Sequence, residues 1–103
     1  MSSERNEQNI VIVSRGNEVI ETIPLGGHMI IGRAAGADIQ LEDTALSRIH
    51  AMFQKDAGRW FLVDLNSLNG TLLNGRKIAP MQPTAVNSGD IAELGEYILR
   101  FQI

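Results

Sequence analysis

The sequence predicts an all-β domain, either a sandwich or a barrel, and three observations predict it. Ile and Val together number 17 against 10 Leu, and β-branched side chains favour a pleated surface. Ten glycines interrupt the chain at short intervals, as turns between short strands require. No segment keeps a helical apolar period over about ten residues, so no helix is predicted.

Residues 1–8 read as a loose polar tail and 9–103 as one domain. Ile10 to Ser14 and Glu18 to Ile23 form a hairpin about Arg15-Gly16-Asn17. Pro24 to Gly27 breaks the chain before a third strand, His28 to Gly32. A small-residue loop follows, then a short strand at Ile39 to Leu41 and a loop at Glu42 to Ser47. His50 to Lys55 alternates, and Arg59 to Asp64 is almost wholly apolar, as a central strand should be. Thr71 to Leu73 and Arg76 to Ile78 flank Asn74-Gly75, whose residues accept the positive φ of a tight hairpin turn. Ala79 to Gly89, with Pro80 and Pro83, reads as a long connection. Asp90 to Leu94 and Tyr97 to Ile103 make a last hairpin, in which Tyr97, Leu99, Phe101 and Ile103 share one face. That strand runs to the final residue, which suits a free domain and a piece of a longer chain equally.

Composition excludes several functions. The chain has 103 residues and no cysteine, which removes disulfides, thiolate metal sites and a cysteine nucleophile. Nine basic against twelve acidic side chains give a net charge of −3, the wrong sign for bulk nucleic-acid binding. No apolar run approaches the roughly 20 residues of a membrane helix, and the polar start is no secretory signal. A cytoplasmic location is expected. His28 and His50 stand apart and the acids are scattered, so neither metal nor cofactor is expected.

Four polar clusters are hard to explain as core: Gly32-Arg33, Ser47-Arg48-Ile49-His50, Asn66 to Thr71, and Asn74-Gly75. A Gly-Arg, a Ser-x-x-His whose serine lies 14 residues after the arginine, and an Asn-Gly about 20 residues further on resemble the forkhead-associated (FHA) domain. DIQLED at 38–43, FLVDLNS at 61–67, LNG at 73–75 and SGDIAELG at 88–95 extend the resemblance over residues 10–103. It implies a sandwich of two twisted, mainly antiparallel sheets with about eleven strands. It also implies loops at one end that bind a phosphothreonine peptide from a Ser/Thr-kinase pathway, without catalysis.

A phosphothreonine presents about −1.5 to −2 charges and three acceptor oxygens. Arg33 suits it as a permanent planar cation, although on the residues alone a solvated surface arginine is as good a reading. Ser47 can donate its hydroxyl, or serve only as a turn serine. Arg48 is expected to add a donor to the phosphate. The resemblance places the Asn69 amide on the ligand backbone, with Gly70 supplying conformation. Gly32 and His50 are assigned to the scaffold. Leu68 departs from the polar residue often found before the Asn, and offers the ligand an apolar surface in its place. Residues 1–21 contain no threonine, so a phosphothreonine tail folding back in cis is not expected.

Two other functions fit less well. A phosphate-independent interaction module could use the same scaffold, but the intact Arg33, Ser47 and Asn69 set argues against it. A small Ser47–His50 hydrolase would need an orienting acid and an oxyanion hole, and no G-x-S-x-G elbow is present.

Overall fold

A computed structural model describes residues 9–103; the tail read at 1–8 lies outside the described residues. Eleven strands follow in order: β1 Ile10–Arg15, β2 Glu18–Pro24, β3 His28–Gly32, β4 Ile39–Gln40, β5 Ala51–Asp56, β6 Arg59–Asp64, β7 Leu72–Leu73, β8 Arg76–Lys77, β9 Thr84–Val86, β10 Ile91–Leu94 and β11 Tyr97–Gln102. They form two sheets, ordered β2-β1-β11-β10-β7-β8 and β4-β3-β5-β6-β9. Every named strand pair is antiparallel except β3 with β4. The expected sandwich is therefore present.

Alternation places the core between the sheets. Val11 and Val13 of β1, Ala51 and Phe53 of β5, and Tyr97, Leu99 and Phe101 of β11 all point inward and are buried. Phe53 stacks on Trp60 at 4.7 Å and on Phe101 at 4.5 Å between ring centroids. Phe53 and Phe101 stand in different sheets, so the stack crosses the sandwich. Such pairs contribute about 0.5–1.5 kcal/mol beyond the area they bury.

The Asn74-Gly75 turn has φ of 52° and 82°, the doubly positive geometry expected of a two-residue hairpin. The apolar Arg59 to Asp64 run has strands on both sides, β5 and β9. β9 itself lies inside the segment read as a connection, and pairs Val86 with Trp60 and Thr84 with Leu62. Three residues with only Val86 buried are too few to show a period of two.

Candidate functional site

The loops after β3, before β5 and after β6 are joined by hydrogen bonds. Beyond β3, Arg33 N donates to Ser47 O at 3.1 Å and Ala34 N to Arg48 O at 3.0 Å, while His50 N donates to Ile31 O at 2.9 Å. The backbones at 31–34 and 47–50 thus continue the β3–β5 ladder past its regular end. Gly32 permits this approach. A Cβ there would stand 2.2 Å from the Arg48 carbonyl oxygen, well inside van der Waals contact.

His50 is fully buried beneath these loops. Its Nδ1 accepts the Ser47 backbone N–H at 3.1 Å, and its Nε2 lies 2.9 Å from the Gly70 carbonyl oxygen. Because Nδ1 accepts, Nε2 carries the proton and donates. One imidazole therefore ties the loop before β5 to the loop after β6.

Arg33 is half-buried, and its Nε donates to the Leu46 carbonyl at 3.1 Å. That bond orients the guanidinium, and its terminal nitrogens have no partner among the described residues. Ser47 Oγ accepts the Leu68 N–H at 3.0 Å, a bond that does not use the hydroxyl proton. Arg48 is exposed and forms no ion pair among the described residues. Leu68 is 85% exposed. Asn69 is exposed, and its Nδ2 donates to Ala45 O at 2.7 Å, which keeps the Oδ1 acceptor and one N–H for other partners. Gly70 has φ of +84°, a conformation that L side chains avoid, and it aims its carbonyl at His50. All eight residues singled out in the sequence are thus brought to one end of the sandwich.

Sequence reasoning missed two acids that hold this end together. Asp64, at the end of β6, is buried. Its Oδ1 accepts from Ser67 Oγ at 2.5 Å and Thr71 Oγ1 at 2.7 Å, and its Oδ2 accepts from Ser67 N at 3.1 Å. Ser67 Oγ in turn accepts the Gly70 N–H at 2.9 Å. Burial pushes the Asp64 carboxyl up, but the Ser67 and Thr71 hydrogen bonds outweigh it and hold the group below the usual carboxylate range. An acid closing an apolar strand and followed three residues later by Ser was the available signal.

Asp43 is the second. It accepts Ala45 N–H at 2.9 Å and Glu96 N–H at 3.3 Å, bonds that lower its pKa. It ties the Ser47 loop to the β10–β11 turn, where a Cβ on Gly95 would stand 2.6 Å from its Oδ2. Among the described residues, no three His, Asp or Glu side chains gather as a metal site.

The FHA domain family model matches residues 29–95, the span that holds every residue of these loops. The chain belongs to the FHA domain family. FHA domains are non-catalytic interaction modules. This FHA domain is 42% identical over 76 residues to the FHA domain-containing protein FhaA of Mycobacterium tuberculosis, covering 72% of this chain and 14% of that protein. It is 39% identical over 70 residues to the oxoglutarate dehydrogenase inhibitor of Corynebacterium diphtheriae, covering 68% of this chain and 47% of that one. The chain thus spans less than half the length of these curated relatives. A solved FHA domain, from work on phosphothreonine-dependent FHA domain interactions, superposes with a TM-score of 0.81 at 31% identity. That match covers 94% of this chain and 97% of the other.

Proposed function

We propose that this FHA domain binds phosphothreonine in a partner protein of a Ser/Thr-kinase pathway, and that residues 9–103 are the folding unit that does so. The observation that carries the reading is that Arg33 and Ser47 are joined backbone to backbone at 3.1 Å at one end of the sandwich. Among the described residues the terminal nitrogens of Arg33 have no partner, and the Ser47 hydroxyl has one acceptor position taken by Leu68 N–H. Arg33 and Ser47 would bind the phosphate, with Arg48 adding charge from the same loop. Asn69, its Nδ2 held by Ala45, would bind the ligand backbone, and exposed Leu68 would cover an apolar neighbour of the phosphothreonine. Gly32, His50 and Gly70 hold these groups in register without touching the ligand.

The arrangement does not support a Ser47–His50 nucleophile pair. Both ring nitrogens of His50 are engaged by backbone groups, and Ser47 Oγ bonds Leu68 N–H, so the serine has no base. We infer a non-catalytic role and a cytoplasmic setting, where a kinase product would be met. Among the described residues, no helix is long and apolar enough to cross a membrane. Recognition by loops on a rigid sandwich predicts little backbone change on binding. The test is calorimetric titration with a phosphothreonine peptide and its unphosphorylated twin. Binding of the phosphorylated peptide alone supports the reading. Equal binding of both would favour the phosphate-independent module.

A further inference from the structure

The sandwich has a second candidate binding face, formed where its two sheets present edge strands. β2 and β4 are the edges of their sheets, and a groove of about 480 Å³ lies beside them. Val13 and Tyr97 form its floor; Ile20 and Glu21 line it from β2, and Asp38 and Glu42 from the β4 side. Among the described residues, no lysine or arginine lines it. Arg15, which lies over the Tyr97 ring, is already paired with Glu96 at 3.3 Å. One Asp38 oxygen accepts Ile30 N–H, whereas Glu21 and Glu42 are exposed and form no ion pair among the described residues.

β2 is suited to receive another strand. It has seven residues, six of them exposed, and among the described residues it pairs only with β1. Alternate residues of such an edge direct unpaired N–H and C=O groups outward. The β1–β2 register pairs Val13 with Glu21 and Ser14 with Val19, which leaves Ile20 as a bulge. Bulges re-aim side chains at sheet edges, and Ile20 is 51% exposed in the groove. Pro24, without an N–H, limits the ladder at one end.

We propose that this edge and groove dock an extended, basic segment of a partner protein, added as a strand along β2 with Lys or Arg facing Glu21, Asp38 and Glu42. Charge selects this occupant. A second copy of the chain would bring Glu18 and Glu21 of one β2 toward the same acids of the other, and like charges across strands are destabilising. An alternating apolar and basic segment gives the edge its missing hydrogen bonds, gives the groove acids counter-charges on one face and gives Val19, 60% exposed on the other, an apolar neighbour. The groove borders the loops that carry Arg33 and Ser47 and shares their stretches at 37–38 and 41–42, but none of the residues assigned to the phosphothreonine lines it, and the proposal does not rest on the reading of those loops.

The test is an amide NMR titration of the full chain with an acetylated, amidated Lys-Val-Lys-Val-Lys-Val-Lys peptide lacking phosphate. Shifts are expected in β2 and residues 38–42, with exchange protection of outward β2 amides. Glu21→Lys combined with Glu42→Lys should weaken the peptide tenfold or more and leave phosphothreonine-peptide affinity unchanged. The Glu21→Gln, Glu42→Gln pair should weaken it less, and a Glu-Val peptide should prefer the lysine variant. No shift at millimolar peptide would overturn the proposal, as would shifts confined to residues 32–34, 45–50 and 66–71 or equal affinity for the Glu-Val peptide. Unchanged binding after N-methylation of alternate peptide amides would overturn strand addition. Self-association through β2 would overturn the choice of occupant.

Discussion

Phe53 and His50 lie three residues apart, are both fully buried, and are held by different physics. Phe53 is packed by rings above and below it, on Trp60 and Phe101. These contacts are largely non-directional, so a well-shaped apolar replacement recovers part of them. His50 is held by two hydrogen bonds of fixed direction, from Ser47 N and to Gly70 O. An apolar side chain of its size offers neither the acceptor nor the donor those two positions need. The aromatic stack decides whether the sandwich is stable. The polar knot decides where its loops lie.

The strongest test of that division is Phe53→Ala. It should destabilise the fold by about 3–5 kcal/mol, while the molecules still folded keep the phosphopeptide affinity of the wild type. Denaturant unfolding paired with a titration in the folded range measures both. His50→Ala should act differently, lowering stability and affinity together. It leaves two part-buried backbone groups, Ser47 N–H and Gly70 C=O, without their partner, at up to roughly 1–3 kcal/mol each. A His50→Ala protein that keeps its melting temperature yet loses binding would make His50 a ligand contact, and the comparison would fail.

A smaller effect, of roughly 1–3 kcal/mol at neutral pH, is expected for Asp64→Asn, since hydrogen bonds to a charged group are replaced by weaker ones. Its pH dependence has a definite sign. The folded-state pKa of Asp64 is depressed, so its contribution is fully present above the unfolded value near ~3.9. It is lost as pH falls through the lower folded value. The stability difference between wild type and Asp64→Asn should therefore narrow below about pH 4, as acid-dependent urea unfolding would show. The smallest effect belongs to Leu68→Ser. At 85% exposure, the change should leave stability within about 0.5 kcal/mol and alter peptide affinity by less than tenfold. A larger loss would promote Leu68 from flank to anchor.

The same contrast explains what the sequence disclosed. Alternation in Tyr97 to Phe101 and the Asn74-Gly75 turn announced their strands, because burial and positive φ select residue types directly. β9 was hidden by its length of three residues. At the site, the spacing of Gly32-Arg33, Ser47, His50 and Asn69-Gly70 was legible as a family resemblance. Asp64 and Asp43 were not singled out. Asp43 is held by backbone N–H groups of Ala45 and Glu96, which every residue but proline carries, so no partner residue type marks it. Asp64 depends on Ser67 and Thr71, and its one signal, a Ser three residues after an acid that closes an apolar strand, also fits an ordinary turn.

The central claim is that Arg33 and Ser47, fixed by this knot, read a phosphothreonine. The most direct measurement titrates phosphothreonine, phosphoserine and aspartate versions of one peptide into wild type and Arg33→Ala at pH 7.5 and pH 5. The phosphothreonine peptide should bind best, because its methyl adds about 0.8 kcal/mol if buried and its β-branch restricts the rotamer. Its affinity should weaken at pH 5, below the second phosphate pKa near ~6. The aspartate peptide, with two planar oxygens, should bind barely. Arg33→Ala should lose about 2–5 kcal/mol of binding with the melting temperature unchanged. Affinity unaltered by Arg33→Ala, or equal for the aspartate and phosphothreonine peptides, would contradict the account.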